Sequence, residues 1–180
     1  VTRVLYAMSR KNSYIAPQNF TPEDFTYAQE HLRITSFCYG LLRPMDTIKP
    51  YRLEGNVTIP ELGAENMFDF WQKRLTRPFI QEIIKNGGIL FNLASHEMKS
   101  LFDWKLVENK TRIITPEFKI MKRGKPTTVV IYTKMARGAM TRYIIKNRIE
   151  NPEEIKSFEW EGFHFYKEDT KSGIYTFIQE

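Results

Sequence analysis

A helix-like segment followed directly by a short apolar segment constrains the fold of this chain most. Across residues 67–86 the apolar side chains recur at helical spacing, and Gly87-Gly88 is typical of a helix end. Pro78 inside this segment predicts either a kink or two abutting helices. Residues 89–93 are almost wholly apolar, which is typical of a strand buried on both faces. A helix beside a buried strand indicates a mixed α/β (α+β) fold.

Local signals elsewhere predict the remaining helices and strands. Thr21, followed by a proline and two acids, is typical of a helix start, and helical spacing continues to about residue 36. Two runs rich in β-forming residues, 112–121 and 127–133, predict two central strands joined as a hairpin. Further predictions are a short strand at 4–8, an ordered loop at 39–54, a helix at 135–149, a short helix after Asn151 and a hairpin around 170–173. We therefore expect one domain over residues 1–180, with a central mixed sheet, flanking helices and a C-terminal hairpin.

Composition favours a folded protein that stays in the cytoplasm. Hydrophobic residues make up 42% of the chain and aromatic residues 14%, enough to offset the entropy lost on ordering it. No apolar run approaches the roughly 18 residues that cross a bilayer, and residues 1–15 are too polar and basic for a signal peptide. We expect a cytoplasmic location and no membrane association. The only cysteine, Cys38, lies between Phe37 and Tyr39, which indicates a buried structural thiol and excludes an internal disulfide.

Positive charge is concentrated in one predicted helix. The chain has 27 Lys and Arg against 21 Asp and Glu, a formal net charge of +6 that favours anionic partners only modestly. Residues 134–148, however, contain no acid, and their cations are Lys134, Arg137, Arg142, Lys146 and Arg148. At about 100° per residue these side chains cover roughly half of a helix, and apolar side chains gather on the other half. The pattern predicts a phosphate-binding face, and the solvated face of an ordinary amphipathic helix is the alternative.

A second basic segment lies in the predicted loop at 39–54. Arg43, Lys49 and Arg52 accompany Tyr51 there, and two prolines limit the freedom of the backbone. A guanidinium presents a rigid fork to a carboxylate or phosphate, and an ordered loop loses less entropy on binding. The loop therefore predicts an anion-positioning site, with an internal salt bridge between Arg52 and Glu54 as the alternative.

Polar residues follow the predicted buried strand. Asn92, Ser95 and Glu97 lie at or just beyond its end, where α/β sheets commonly place ligand groups. Ser95 is better explained as a helix cap and Glu97 as a first-turn acid. Nothing in the sequence supplies a base for Ser95, which argues against nucleophilic catalysis.

Motifs for metals and cofactors do not occur in the sequence. His31, His96 and His164 lie far apart and lack the spacing used for zinc or iron. No glycine-rich phosphate loop or dinucleotide fingerprint is present. We predict no metal and no cofactor.

Several uncommon runs of residues follow one another along the chain. They are Tyr27-Ala28-Gln29-Glu30-His31-Leu32-Arg33, Tyr39-Gly40-Leu41-Leu42-Arg43-Pro44, Pro50-Tyr51-Arg52-Leu53-Glu54, Asn92-Leu93-Ala94-Ser95, Ala136-Arg137-Gly138 and Glu161-Gly162-Phe163. Together they resemble the YaaA family of peroxide-stress proteins, over Phe20 to the C-terminus. Residues 1–19 match the family poorly, and the Ile-Ser-Pro-Ala-Lys-like motif of its N-terminal section does not occur in this sequence.

The resemblance implies a bacterial cytosolic protein that helps cells withstand hydrogen peroxide by limiting reactive intracellular iron. It also implies a basic cleft, binding of duplex DNA and a helix-hairpin-helix element, with no settled enzymatic reaction. That element would map to residues 135–149 followed by 151–158. The connecting Glu150-Asn151-Pro152 lacks the glycine pair usual in such hairpins.

Two functional hypotheses follow, and a third is weaker. In the first, the chain is a stress protein whose cationic helix contacts the phosphates of duplex DNA. In the second, it is an enzyme acting on a nucleotide or other phosphorylated small molecule. Glu97 would then be the general acid or base, Asn92 would orient the ligand, and Tyr51 would stack on it or donate a proton. A protein-interaction module is the third, and it would require a large exposed apolar patch.

Overall fold

The computed structural model describes residues 4–7, 13–63 and 65–180. Its strands are β1 (Val4–Ala7), β2 (Leu32–Ser36), β3 (Gly40–Leu42), β4 (Ile89–Leu93), β5 (Arg112–Lys122), β6 (Lys125–Thr127), β7 (His164–Asp169) and β8 (Ile174–Gln179). Its α-helices are α1 (Pro22–His31), α2 (Met67–Lys85), α3 (His96–Lys99), α4 (Trp104–Lys110) and α5 (Val130–Asn147). Short 3₁₀ helices cover Ser13–Ile15, Pro17–Asn19, Pro60–Leu62 and Pro152–Ser157. None of the helices described is both long and apolar enough to cross a bilayer.

The described strands form one mixed sheet. Their order is β3-β2-β1-β4-β5-β8-β7, and β6 pairs with β5 outside this path. Neighbouring strands from β2 to β8 are parallel, whereas β3, β6 and β7 are antiparallel additions. The prediction of a mixed α/β fold with a central mixed sheet and a C-terminal hairpin, β7–β8, is therefore confirmed.

Helices cover both faces of the sheet. On one face, α1 and α5 pack on Phe91, Ile114 and Phe177. On the other, α2, α3 and α4 enclose a second apolar cluster that includes Leu90 and Phe79. Every residue of β4 is buried. Ile89, Phe91 and Leu93 enter one cluster and Leu90 enters the other, because successive side chains of a strand point to opposite faces. The prediction of a buried strand at residues 89–93 is confirmed.

Caps fix three of the predicted element ends. Thr21 and Asp24 exchange hydrogen bonds at the start of α1, where each side chain accepts from the other residue's backbone N–H. The side chain of Asn151 likewise accepts from the backbone N–H of Glu153, at 3.1 Å, and begins the 3₁₀ helix that follows α5. The backbone N–H of Gly88 donates to the carbonyl of Ile83, at 2.8 Å, and ends α2. This helix is continuous through Pro78.

The predicted extension of α1 to residue 36 is wrong. The helix ends at His31, and Leu32–Ser36 is strand β2. Leu32 lies in the α5-side cluster, and Ile34 packs against it, whereas Thr35 is buried without belonging to that cluster. The apolar residues of this segment have helical spacing by coincidence. Its pairing with β1 on one edge and β3 on the other makes it a strand. Part of the predicted loop at 39–54 is likewise strand β3.

The predicted strand at 127–133 is also wrong. Strand β6 ends at Thr127, and α5 begins at Val130, five residues before the predicted start at 135. Val130 and Ile131 are 79% and 64% exposed, so no neighbouring strand covers their β-branched side chains. Packing of the later turns of α5 against the sheet overrides local β propensity here.

Two further differences concern single residues. Cys38 is exposed, so the expectation of a buried structural thiol is wrong. It lies in the turn between β2 and β3, which carries it out of the apolar cluster that receives Phe37. Helix α4 was not predicted, although Asp103 caps it by accepting from the backbone N–H of Leu106 at 3.1 Å.

A buried carboxylate joins α1 to the end of α5. Asp24 accepts from Lys146 Nζ at 2.7 Å and pairs with Arg148 Nη1 at 2.8 Å, and its side chain is only 5% exposed. The hydrogen bond from Lys146, followed by that from the backbone N–H of Thr21, holds the pKa of Asp24 well below its ordinary value. These two cations therefore stabilise the packing of two helices.

The turn before β8 approaches β5 closely. Gly173 has a φ of +68°, and its carbonyl accepts from the backbone N–H of Thr115 at 2.8 Å. A Cβ at Gly173 would lie 2.1 Å from the carbonyl oxygen of Ile113. Glycine is required here both by the backbone conformation and by the contact.

We predict that Asp24→Asn destabilises the protein at neutral pH and that the difference from wild type shrinks in acid. A folded-state pKa below the ordinary 3.8 gives stability that is present above that value and lost as pH falls through the folded pKa. Urea unfolding at pH 7 and pH 2.5 measures both differences. Glu61→Gln, at an exposed position, serves as the control and should show no such pH dependence. Equal destabilisation by Asp24→Asn at both pH values would contradict the ion-pair assignment.

Gly173→Ala should lower the free energy of unfolding by more than about 2 kcal/mol, because it adds a backbone clash to the strain of a positive φ. Gly124→Ala is a matched control, since Gly124 has a φ of +74° but nothing within 4 Å of a Cβ. The control should lose only about 1–2 kcal/mol. Denaturant unfolding measures both variants, and equal losses would show that the contact with Ile113 is unimportant.

Candidate functional site

The order in which successive strands are added to the sheet reverses at β1, near the middle of the sheet. From β1 the chain continues to β2 on one side, and it later returns to β4 on the other side. Because β2, β1, β4, β5 and β8 are parallel, their carboxyl ends lie at one edge. Open α/β sheets bind ligands at this edge, where the strand order reverses.

Asn92 lies at this edge, near the end of β4. Its side chain is 1% exposed, and its Nδ2 donates to Thr115 Oγ1 of β5 at 3.3 Å. Its Oδ1 accepts from the backbone N–H of Ala94 at 3.3 Å. The amide therefore orients the end of β4 and holds the Thr115 hydroxyl, and its role in orienting a ligand stays a prediction.

Arg137 reaches the same stretch of β5 from α5. Helix α5 is fixed there because Thr133 Oγ1 donates to the carbonyl of Phe118 at 3.3 Å. Burial lowers the pKa of the Arg137 guanidinium, and the negative charge of Glu117 opposes that shift. Within the described residues, the buried Nε of Arg137 has no hydrogen-bond partner. Glu117 is instead paired with Lys119 at 2.8 Å.

Asn92 and Thr115 are thus in contact, and Arg137 lies within electrostatic range of Glu117 on the same strand; we call these four residues the carboxyl-edge cluster. Thr115 and Glu117 are two residues apart on one strand, so their side chains lie on the same face about 7 Å from each other. Asn92 and Thr115 supply an amide and a hydroxyl, whereas Arg137 supplies an incompletely satisfied guanidinium from α5. An anionic ligand at Arg137 would supply the acceptor that its Nε lacks.

The other two candidates beyond β4 differ in their environment. Ser95 precedes α3 in the N-cap position, but its side chain makes no cap hydrogen bond. Its Oγ is buried and has no hydrogen-bond partner among the described residues. Glu97 is exposed on α3. The geometry places the Ser95 hydroxyl, rather than the Glu97 carboxylate, inside the protein.

Tyr51 is held at the carboxyl end of β2. Its hydroxyl lies 2.5 Å from Ser36 Oγ, and its ring meets that of Tyr39 edge to face at 5.4 Å between centroids. The hydroxyl of Tyr39 in turn contacts the backbone of Lys49, at 3.3 Å from its nitrogen. Tyr51 is 41% exposed, and both Lys49 and Arg52 are exposed beside it. The loop is therefore an ordered, aromatic and cationic surface.

Arg43 is separated from that surface. It follows β3, which runs antiparallel to β2, so it lies toward the opposite edge of the sheet. There it borders a shallow cavity shared with Arg33, Glu82 and Lys85. The loop at 39–54 does not bring all three of its predicted cations to one place.

The cations of α5 also lie in different environments rather than on one shared surface. Lys146 and Arg148 are paired with Asp24, as described above. Arg142 is half-buried and lines a separate cavity of about 390 Å³ with Tyr143 and Trp160. Lys134 is exposed near the start of the helix. After Arg148 the chain enters the 3₁₀ helix Pro152–Ser157 rather than a second α-helix.

Sequence reasoning missed two members of the cluster. Thr115 and Glu117 lie inside an ordinary β-strand pattern, and only the register of β5 against β4 places Thr115 beside Asn92. No signal in the sequence reports that register. Across the described residues, no three His, Cys, Asp or Glu side chains meet in a way that could hold a metal ion.

Curated relatives of this chain come from several bacteria. It is 65% identical over 151 residues to a UPF0246 protein of Phocaeicola vulgatus, covering 84% of this chain and 59% of the relative. The UPF0246 protein of Bacteroides thetaiotaomicron is 63% identical over 149 residues, with 83% and 58% covered. That of Porphyromonas gingivalis is 47% identical over 167 residues, with 92% and 65% covered. The chain therefore spans about three fifths of the length of these relatives.

A family model described as peroxide stress protein YaaA matches residues 12–169. The match begins eight residues before Phe20 and ends at Asp169, the last residue of β7. It includes every residue of the carboxyl-edge cluster and most of the sheet. The chain therefore belongs to the YaaA family of peroxide stress proteins.

Proposed function

We propose that this chain helps cells withstand hydrogen peroxide by binding duplex DNA in the cytoplasm, as part of a protein that limits reactive intracellular iron. The peroxide role is supported by membership of the YaaA family. Binding of DNA is supported by the distribution of its cations. The main support for the proposal is that some cations are paired with a carboxylate of the protein whereas others are not.

Cations with a structural role have a carboxylate partner. Lys146 and Arg148 share Asp24, and Arg33 is hydrogen-bonded to Glu82 of α2. Within the described part of the chain, Arg52 and Arg142 have no carboxylate at ion-pair distance. Such charges make no ion pair with those residues and remain available to phosphate groups.

The tyrosine pair favours a surface prepared for a nucleic acid. Tyr39 and Tyr51 are held by hydrogen bonds before any ligand arrives, so little entropy is lost on binding. Lys49 and Arg52 lie next to these rings in sequence and are exposed. Cations beside fixed aromatic rings are typical of nucleic-acid surfaces.

A phosphorylated small molecule is the second candidate ligand. It is favoured by the carboxyl-edge cluster, where the Nε of Arg137 lacks a hydrogen-bond partner among the described residues. Asn92 would orient such a ligand through the Thr115 hydroxyl. With Glu97 exposed on α3, Glu117 is the nearer carboxylate for proton transfer at this cluster.

The combined variant Arg52→Glu with Arg142→Glu should weaken binding to a short DNA duplex at least tenfold, because both side chains would contact phosphates. For about four contacts, the logarithm of wild-type affinity should fall against the logarithm of salt concentration with a slope of roughly −3 to −4. The variant should reduce that slope by about 2. Fluorescence anisotropy across a salt series measures both quantities.

A matched control changes the same charge elsewhere. Lys73→Glu with Arg77→Glu alters two exposed cations one turn apart on α2, and it should change affinity less than threefold. Equal weakening by both double variants would mean that net charge alone drives binding. A wild-type affinity that is flat with salt would contradict the proposal outright.

Arg137→Met tests whether Arg137 serves a ligand or the fold. Removing a buried, incompletely bonded cation should leave the free energy of unfolding unchanged or raise it by about 1 kcal/mol, because desolvation is relieved. Arg33→Met is the comparison, since Arg33 is buried and bonded to Glu82, and it should destabilise by about 3 kcal/mol. Urea unfolding measures both. A loss above about 2 kcal/mol in Arg137→Met would assign Arg137 to the fold.

A further inference from the structure

A partly enclosed cavity lies apart from the tyrosine loop and the end of α5. It has a volume of about 620 Å³ and is bounded by α4, β5, the start of β8 and the turn that joins β7 to β8. Sites for small molecules typically measure about 300–1,000 Å³. Gly173 closes one wall, because its close approach to Ile113 brings the turn against β5.

One wall of this cavity is aromatic. Trp104, the first residue of α4, borders it with Ile113 and Ile174. The Asp103 cap fixes the start of α4, and the backbone N–H of Asp103 donates to Thr76 Oγ1 of α2 at 2.9 Å. Lys99 Nζ lies 5.0 Å from the centre of the Trp104 ring. An aromatic surface and an ammonium group therefore share this wall.

Three of the four carboxylates around the cavity are paired with lysines, two of them with the same lysine. Glu117 is paired with Lys119 at 2.8 Å. Lys156 lies 2.6 Å from Glu153 and 2.5 Å from Glu168. The hydrogen bond from Lys156 is the largest cause of the lowered pKa of Glu153, and Arg112 adds a smaller contribution to it.

The cations around the cavity are less fully occupied. Lys99, Arg112 and Lys171 all border it, and none has a carboxylate at ion-pair distance within the described residues. Lys171 is exposed in the turn before β8. Lys156 is a single charge between two carboxylates, so one negative charge of that pair and the charge of Glu108 remain beside the three cations. The cavity therefore has only a slight excess of positive charge.

Hydroxyl groups complete the surface. Thr115 borders the cavity while its Oγ1 accepts from the buried Asn92 amide, which fixes its orientation. Thr170 and Ser172 contribute hydroxyls from the turn. Hydroxyls beside cations suit the sugar and phosphate oxygens of a polar ligand.

We infer that this cavity binds a small anionic ligand with a flat aromatic ring, of the class of the nucleoside monophosphates. The ring packs against Trp104, and the phosphate lies near Lys171 and Arg112. The inference does not rest on DNA binding, because none of the cavity residues belongs to the tyrosine loop or to α5. It deepens the second candidate function and rests on it, because Thr115 and Glu117 of the carboxyl-edge cluster border this cavity.

Isothermal titration calorimetry with AMP, adenosine and inorganic phosphate tests this inference. AMP should bind at least tenfold more tightly than either fragment, because only AMP reaches both the aromatic wall and the cations. No binding of AMP up to millimolar concentration would overturn the inference. Equal affinity for AMP and inorganic phosphate would also overturn it, since the aromatic wall would then contribute nothing.

Three variants locate the site. Lys171→Glu and Trp104→Leu should each weaken AMP binding at least tenfold. Lys167→Glu is the matched control, because Lys167 is exposed on β7 of the same hairpin but does not border the cavity, and it should change affinity less than twofold. Lys171→Glu lies in an exposed turn and keeps the aromatic wall, so it remains decisive if Trp104→Leu unfolds. Unchanged affinity in Lys171→Glu would place AMP elsewhere.

Discussion

The pairing of β5 with two different strands holds this structure together. Its residues 112–114 pair with β4, and its residues 115–120 pair with β8. The strand therefore joins the half of the sheet built around β1 to the half that ends in the C-terminal hairpin. The carbonyl of Phe118 accepts a hydrogen bond from Thr133 of α5, and the Thr115 hydroxyl accepts one from the side-chain amide of Asn92. Both the carboxyl-edge cluster and the cavity beside Trp104 depend on this one strand.

Burial separates the cations of this chain into two kinds. Arg33 is buried and hydrogen-bonded to Glu82, and Asp24 fixes the last two cations of α5. These groups hold helices against one another. Arg137 is different, because burial lowers its pKa without supplying a full set of hydrogen bonds. We propose that such a charge serves binding rather than stability.

Much of the architecture could be predicted from the sequence, because its strongest signals are local. The capping residues Thr21 and Asn151 and the apolar run of β4 each act within a few positions, and all were predicted. The errors arose where tertiary contacts decide. Residues 32–36 pair in the sheet although their spacing is helical, and residues 130–133 form a helix although their propensity is for strand.

The candidate site was less predictable for the same reason. Asn92 and Arg137 were singled out from their residue types and positions, but the contact of Asn92 with Thr115 follows from strand register alone. Equally, Lys146 and Arg148 looked identical to Arg142 in the sequence, because the acid that pairs with them is Asp24, more than one hundred positions away. Long-range ion pairs leave no local pattern.

The central claim is that unpaired cations, rather than those paired with Asp24, meet the ligand's phosphates. NMR spectroscopy of the arginine Nε–H and lysine Nζ–H groups during titration with a DNA duplex tests it directly. We predict shifts at Arg52 and Arg142, with the signals of Lys146 and Arg148 nearly unmoved. Shifts concentrated at Lys146 and Arg148, with none at the unpaired arginines, would contradict the account.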